Sequence, residues 1–262
     1  MDFCLTSDTY QTPKKDKLTF WEWLRLDSRI YFTWRLTKVL LSSRRLALKK
    51  KYKTPEWVES SFYVLRTIEK AGGRFDISGM DNITKHNGPV LFLCNHMSTL
   101  ETFILPCIIA SRMNLTFVAK DSLVKLPLFK HIMMSCDPVV VGRSDPRKDL
   151  EAVMTGGAER LSKGISIVIF QQSTRSAEFK PEEFSSIGVK LAKKNNVAVV
   201  PVALKTDYWS NAKIIKVLGS IDRKKTIFIK FGEPFMINSS GKEDNNKIID
   251  FIKSSLAEWN DK

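Results

Sequence analysis

The sequence predicts an α/β protein: a mostly parallel central sheet covered by helices and preceded by an N-terminal amphipathic helical pair. Three observations carry this. Short apolar runs such as VLFLC (90–94), ISIVIF (165–170) and VAVVPVAL (197–204) have almost no polar alternation, as strands covered on both faces should. Helical segments at 99–111, 146–163, 184–195 and 243–258 separate these runs, and that alternation fits helices packed on a parallel sheet. Before residue 74 the texture is wholly different, being rich in Trp, Phe, Leu and basic residues.

Taken in order, residues 1–16 are polar and are expected to be loose. From Leu18 to Leu48 an aromatic and leucine-rich stretch is interrupted by Glu22, Arg25, Asp27, Arg29, Arg35 and Lys38. Each charge would cost ~2.5–3.5 kcal/mol at the centre of a bilayer, so a spanning helix is not expected. An interfacial helix suits the pattern, with Trp21, Trp23 and Trp34 at headgroup depth. The basic cluster Arg44, Arg45, Lys49, Lys50, Lys51 and Lys53 follows, each charge worth ~1 kcal/mol beside an anionic leaflet. A soluble helical hairpin with a solvated basic face explains the same residues and stays open. A second helix starts at Thr54-Pro55-Glu56, with Pro at the first helical position, and ends at Ala71 before Gly72-Gly73. This divides the chain into a loose segment (1–16), a helical docking motif (17–73) and an α/β domain (74–262). Strands are predicted at 75–78, 90–94, 115–119, 138–141, 165–170, 197–204 and 226–231. Asp145-Pro146 and Gly164 punctuate the helix between two of them.

Composition narrows the partners. The 262 residues hold 42 Lys and Arg against 28 Asp and Glu, a net charge of +14. Hydrophobic residues at 43% and charged residues at 27% exclude wholesale disorder. The four cysteines (Cys4, Cys94, Cys107 and Cys136) form no CxxC pair and have no histidine cluster, so neither a metal site nor a disulfide framework is expected. The opening MDFCLTSDTYQTPKKDK lacks the basic-then-apolar order of a signal peptide, which places the chain on the cytosolic side with reduced thiols. Charge alone admits anionic membranes, acidic carrier proteins or nucleic acid. Nucleic acid is set aside because no helix-turn-helix, zinc finger or aromatic RNA motif accompanies the charge.

The stretch VLFLCNHMSTLET (90–102) carries the chemistry. A buried strand ends at Asn95-His96, and a helix begins near Ser98, so His96 sits at a strand's carboxyl end, where α/β folds bind ligands. Glu101 lies within the first helical turn and can hydrogen-bond one imidazole nitrogen, leaving the other as a general base. The nucleophile would then be a substrate hydroxyl. Ser98-Thr99-Leu100-Glu101 is equally a capping box, with His96 an ordinary loop residue. Gln171, Gln172, Ser173, Thr174 and Arg175 leave the end of ISIVIF, Arg143 follows PVVV, and Lys120 follows LTFVA. In a parallel sheet these three cations converge on one edge and define a pocket for an anionic substrate. Cys94 reads as a buried thiol. Tyr208-Trp209 fits either the core or the lining of an apolar channel.

The order NH(four residues)E, VVVGRSD, FQQSTRS, VVPVAL resembles the glycerolipid acyltransferase family of the bacterial 1-acylglycerol-3-phosphate acyltransferase type, over roughly residues 75–235. The resemblance implies His96 as general base with Glu101 as its orienter. Substrate would be held by Lys120, Arg143, Gln172, Ser173, Thr174 and Arg175, with Pro201 shaping the pocket. It also implies a fatty acyl group passed from acyl-CoA or acyl-carrier protein to a lysophospholipid hydroxyl, by default giving phosphatidic acid, without metal or cofactor. The enzyme would sit peripherally or monotopically at the cytoplasmic face of the inner membrane, docked on anionic lipid. The alternatives are another lyso-lipid acceptor, or a lipid-binding relative with impaired catalysis. Glu101 stands where the family usually has Asp, Gln171 where it has Pro, and Gln172-Ser173 where it has Glu-Gly.

Overall fold

The computed structural model describes residues 5–13, 29–142, 144–210, 219–238 and 240–261, with side chains from residue 31 onward in the first helix. Its centre is an eight-stranded sheet in the order β1-β2-β8-β7-β3-β6-β4-β5. The strands are β1 (Tyr10–Gln11), β2 (Arg74–Ser78), β3 (Leu91–Cys94), β4 (Leu115–Lys120), β5 (Val139–Val141), β6 (Ser166–Phe170), β7 (Val199–Lys205) and β8 (Thr226–Phe231). The helices are α1 (Arg29–Leu48), α2 (Thr54–Lys70), α3 (Leu100–Leu105), α4 (Asp121–Lys125), α5 (Lys130–Ser135), α6 (Pro146–Ser162), α7 (Ile187–Asn195) and α8 (Lys242–Asn260). Pairing is parallel except for β1 with β2 and β7 with β8.

Strand alternation sends the two sets of side chains into separate cores. Phe92, Cys94, Val168, Val202 and Leu204 meet α1, α2 and α3 on one face. Leu91, Leu93, Ile167, Ile169 and Ala203 meet α6, α7 and α8 on the other. The neighbours β3 and β6 thus feed helices on opposite faces. Their loops meet at the carboxyl edge of the sheet, the usual ligand position in open α/β folds.

Several local signals act as the sequence suggests. Asp145 caps α6, its side chain accepting from the backbone N–H groups of Arg147 and Lys148 at 3.0 and 3.3 Å. Gly164 leaves the helix at φ 73°. For α2 the cap falls one residue early, at Lys53. Glu56 reaches back to the Lys53 N–H at 2.9 Å, so Thr54 lies inside the helix.

Two features differ from expectation. Residues 10–11, within the segment expected to be loose, form an edge strand. It is held because Tyr10 and Thr12 hydroxyls donate to the Glu69 carboxylate at 2.6 and 2.7 Å. The helix predicted at 99–111 becomes a π turn from Pro106 to Ala110, because Pro106 lacks the N–H that would continue the α ladder.

α1 buries Phe32, Leu36, Leu40 and Ala47 along one side, and Phe32 meets Trp209 edge to face at 5.0 Å. No described helix is long and apolar enough to cross a membrane.

Candidate active site

The turn after β3 is fixed from three directions before its histidine is placed. Asn95 extends the β3–β7 pairing with its side chain. Its Nδ2 donates to Leu204 O and its Oδ1 accepts from Leu204 N, both at 2.8 Å. The backbone N–H of His96 donates to Gln172 Oε1 at 2.8 Å, and the His96 carbonyl accepts from Ser176 N at 3.0 Å. The imidazole lies on the Phe170 ring, with centroids 4.1 Å apart and planes at 20°. A ring clamped in this way has few orientations left.

Glu101 is wholly buried and uses both carboxylate oxygens. Oε2 lies 2.5 Å from His96 Nδ1. Oε1 accepts from the backbone N–H groups of Met97 and Ser98 at 2.7 and 2.9 Å, and from the Thr206 hydroxyl at 2.6 Å. The orienter and the capping-box member are therefore one side chain, with one oxygen in each role. Because a carboxylate only accepts, Nδ1 carries the ring proton and Nε2 presents its lone pair. The arrangement has the geometry of the base half of a catalytic triad.

Thr206 was not foreseen. It is fully buried just past the end of β7, and its hydroxyl also receives the Ser98 hydroxyl at 3.0 Å. Ser98 Oγ in turn accepts from Leu100 N at 3.2 Å. The chain from Leu100 through Ser98 and Thr206 to Glu101 thus runs in one direction, each hydroxyl donating its single proton onward.

The structure brings His96, Glu101, Gln172 and Arg175 together. The half-buried Arg175 directs Nη1 to the Thr99 hydroxyl at the start of α3, one turn from the His96–Glu101 pair. Gln172, also buried, keeps the acceptor that the His96 N–H needs, while its Nε2 has no partner among the described residues. Ser173 and Thr174 lie in the same turn. Ser173 does not adopt a positive φ, so the turn has no need of glycine there. Lys120 is exposed at the end of β4, on the same edge of the sheet but one strand beyond β6, and Arg143 lies outside the described residues.

Pro201 is not at the site. It pairs with Leu93 in mid-strand, and its ring packs closely on Gly232 on the far side of the sheet. Tyr208 and Trp209 are core residues; the Trp209 ring is held between Phe32 and Phe103. Cys94 is fully buried, and burial, reinforced by the Glu101 charge, pushes its thiol well above the ordinary range, so it is no nucleophile.

A cleft of about 380 Å³ opens beside Met97, bordered by Phe179, Lys205, Asp207 and Leu256. A larger one, about 440 Å³, lies between α7 and α8; none of its lining residues belongs to the His96 site. No group of His, Cys, Asp and Glu suited to a metal occurs among the described residues.

A histidine–carboxylate pair thus sits at adjoining strand ends, with an arginine over the helix that follows. Residues 74–205, half of the chain, match the model of the family described as Acyltransferase, and the protein belongs to that family. It is 31% identical over 166 residues to the 1-acyl-sn-glycerol-3-phosphate acyltransferase of Pseudomonas aeruginosa, covering 63% of this chain and 62% of that one. It is 29% identical over 179 residues to a probable enzyme of the same name from Mycoplasma genitalium, covering 65% of each. The chain thus spans less than two thirds of the length of these curated relatives. The crystal structure of the 1-acyl-sn-glycerophosphate acyltransferase PlsC from Thermotoga maritima superposes with a TM-score of 0.67. It has 22% identity and covers 91% of this chain and 96% of that one, a likeness of fold.

Proposed function

We propose that the protein transfers a fatty acyl group from a thioester to the free hydroxyl of a lysophospholipid, with 1-acylglycerol-3-phosphate as the default acceptor and phosphatidic acid as product. One observation carries the reading: the buried Glu101 carboxylate fixes the His96 proton on Nδ1, so that Nε2 is the base. Nε2 takes the acceptor's hydroxyl proton as that oxygen attacks the thioester carbonyl. The carbon–sulfur bond then breaks, and the imidazolium returns the proton to the departing thiolate. An ester and a free thiol result, with no acyl-enzyme. General-base catalysis supplies about 10²–10⁴ of the rate, the rest coming from positioning and from stabilising the oxyanion. Arg175 offers a two-pronged phosphate ligand at the start of α3.

The donor is acyl-CoA or acyl-carrier protein; both place the enzyme on the cytoplasmic face of its membrane. Peripheral attachment through α1 accompanies the reading. Trp34, Leu41 and Leu48 recur every seven residues on the side opposite its buried face, each about half exposed. Lys38 lies 3.7 Å over the Trp34 ring, and Arg45, Lys49, Lys50 and Lys51 are exposed nearby. Trp21 and Trp23 lie outside the described residues.

Purified protein offered each donor with a panel of lysophospholipids should release thiol in step with acceptor acylation, fastest with 1-acylglycerol-3-phosphate. Absence of transfer to every acceptor from either donor would sink the proposal.

A further inference from the structure

Seven large hydrophobic side chains are exposed among the described residues, and their distribution is uneven. Three are Trp34, Leu41 and Leu48 on α1, and two more, Leu126 and Met134, belong to the β4–β5 crossover that contains α4 and α5. This crossover is clasped to α1. α5 packs on it, and the Arg44 guanidinium, through Nε, donates to Pro127 O at 3.2 Å, one residue past Leu126. Five of the seven thus belong to two elements in contact.

Charge on the same elements has one sign. Between Arg29 and Lys53 there are nine Lys or Arg and no Asp or Glu. The crossover from Asp121 to Cys136 adds Lys125 and Lys130 against the single carboxylate of Asp121, which Lys125 neutralises at 2.6 Å. Exposed apolar tips set among unopposed cations are what an anionic bilayer surface accepts. The tips enter the interface while the cations remain at the phosphates. An acidic protein would satisfy the cations and leave the apolar tips in contact with water.

We infer that the β4–β5 crossover is a second membrane-contacting element, with Leu126 and Met134 entering the interface of anionic lipid alongside the α1 stripe. This rests on the reading of α1 as the membrane-facing helix and extends it in two ways. The footprint is a platform two elements wide. It also reaches the strand end that carries Lys120, so the carboxyl edge of the sheet stands at the lipid surface from which a lysophospholipid would be drawn.

The test is flotation of the full chain with vesicles of phosphatidylcholine, alone or mixed with phosphatidylglycerol. The double variant Leu126→Glu/Met134→Glu should lose about tenfold or more of its binding to the mixed vesicles, since two partly exposed apolar side chains no longer enter the interface. Leu126→Gln/Met134→Gln should lose a smaller share and guards against a folding defect in the Glu pair. Leu150→Glu, a comparably exposed leucine on α6, should bind like the parent. Activity in detergent micelles should be unchanged in all three. Parental vesicle binding by the double variants, with Trp34→Glu weakened, would overturn this inference alone. Parental binding by Trp34→Glu as well would overturn the α1 reading beneath it. Normal vesicle binding with selective loss of the acyl-carrier-protein reaction would assign the crossover to a protein partner and overturn the proposal.

Discussion

Replacing Glu101 with Gln removes one charge and leaves the shape intact, yet the hydrogen bonds around it dictate a specific failure. Three donors converge on Oε1: the N–H groups of Met97 and Ser98 and the hydroxyl of Thr206. A carboxamide can satisfy them only by placing its carbonyl oxygen there. Its NH₂ group then occupies the Oε2 position, 2.5 Å from His96 Nδ1 in the parent, and donates toward the ring. To accept that hydrogen bond the imidazole must move its proton to Nε2, the atom the substrate hydroxyl needs as base. A tautomer swap of this kind costs about 10⁴ in kcat in a serine protease, or about 5.5 kcal/mol of barrier. The cap is retained, so stability should fall by no more than about 1 kcal/mol. Thiol release from acyl-CoA in the presence of 1-acylglycerol-3-phosphate, read beside thermal unfolding, separates the two effects. Turnover within tenfold of the parent would leave the cap as the only role of Glu101.

Three further outcomes follow from the same geometry. Thr206→Val, nearly isosteric, should lower kcat by about 10–100-fold with little change in either Michaelis constant, as expected when an outer partner of a catalytic group is removed; Thr206→Ser should restore most of it. Equal losses in the Val and Ser variants would mean that the packing of Thr206, not its hydroxyl alone, sets the rate. Arg175→Ala should raise the Michaelis constant of a phosphate-bearing acceptor by about tenfold or more while leaving that of the donor nearly unchanged, and equal effects on both would move the phosphate elsewhere. Because burial holds the Cys94 thiol protonated, an alkylating reagent at neutral pH should leave native activity intact; rapid inactivation traced to Cys94 would contradict its buried position.

The strands were legible because their apolar runs are covered on both faces, leaving a continuous signal; β8, expected at 226–231, begins and ends where predicted. β1 was not, since two residues of an edge strand carry no periodicity and are held by a side-chain contact to Glu69, nearly sixty residues away in sequence. The site divides in the same way. His96 and Glu101 are five residues apart, so their meeting can be read from local spacing. The sequence poses the cap and the orienter as competitors, whereas a carboxylate has two oxygens and serves both. Thr206, and the pairing role of Asn95, were invisible because their partners lie more than a hundred residues away. Nothing in VVPVALKT marks which residue ends up over Glu101. Pro201 is named only through the Val-Pro block of the resemblance, and two-residue alternation turns its side chain to the face where Gly232 lies.

Whether His96 Nε2 is the base for attack by a lipid hydroxyl is read from the rate of acyl transfer by His96→Ala. With parent and variant compared at saturating acyl-CoA and 1-acylglycerol-3-phosphate, and with unfolding temperatures matched, turnover should fall by about 10² to 10⁴. A folded Ala variant that transfers acyl groups at the parental rate would contradict it.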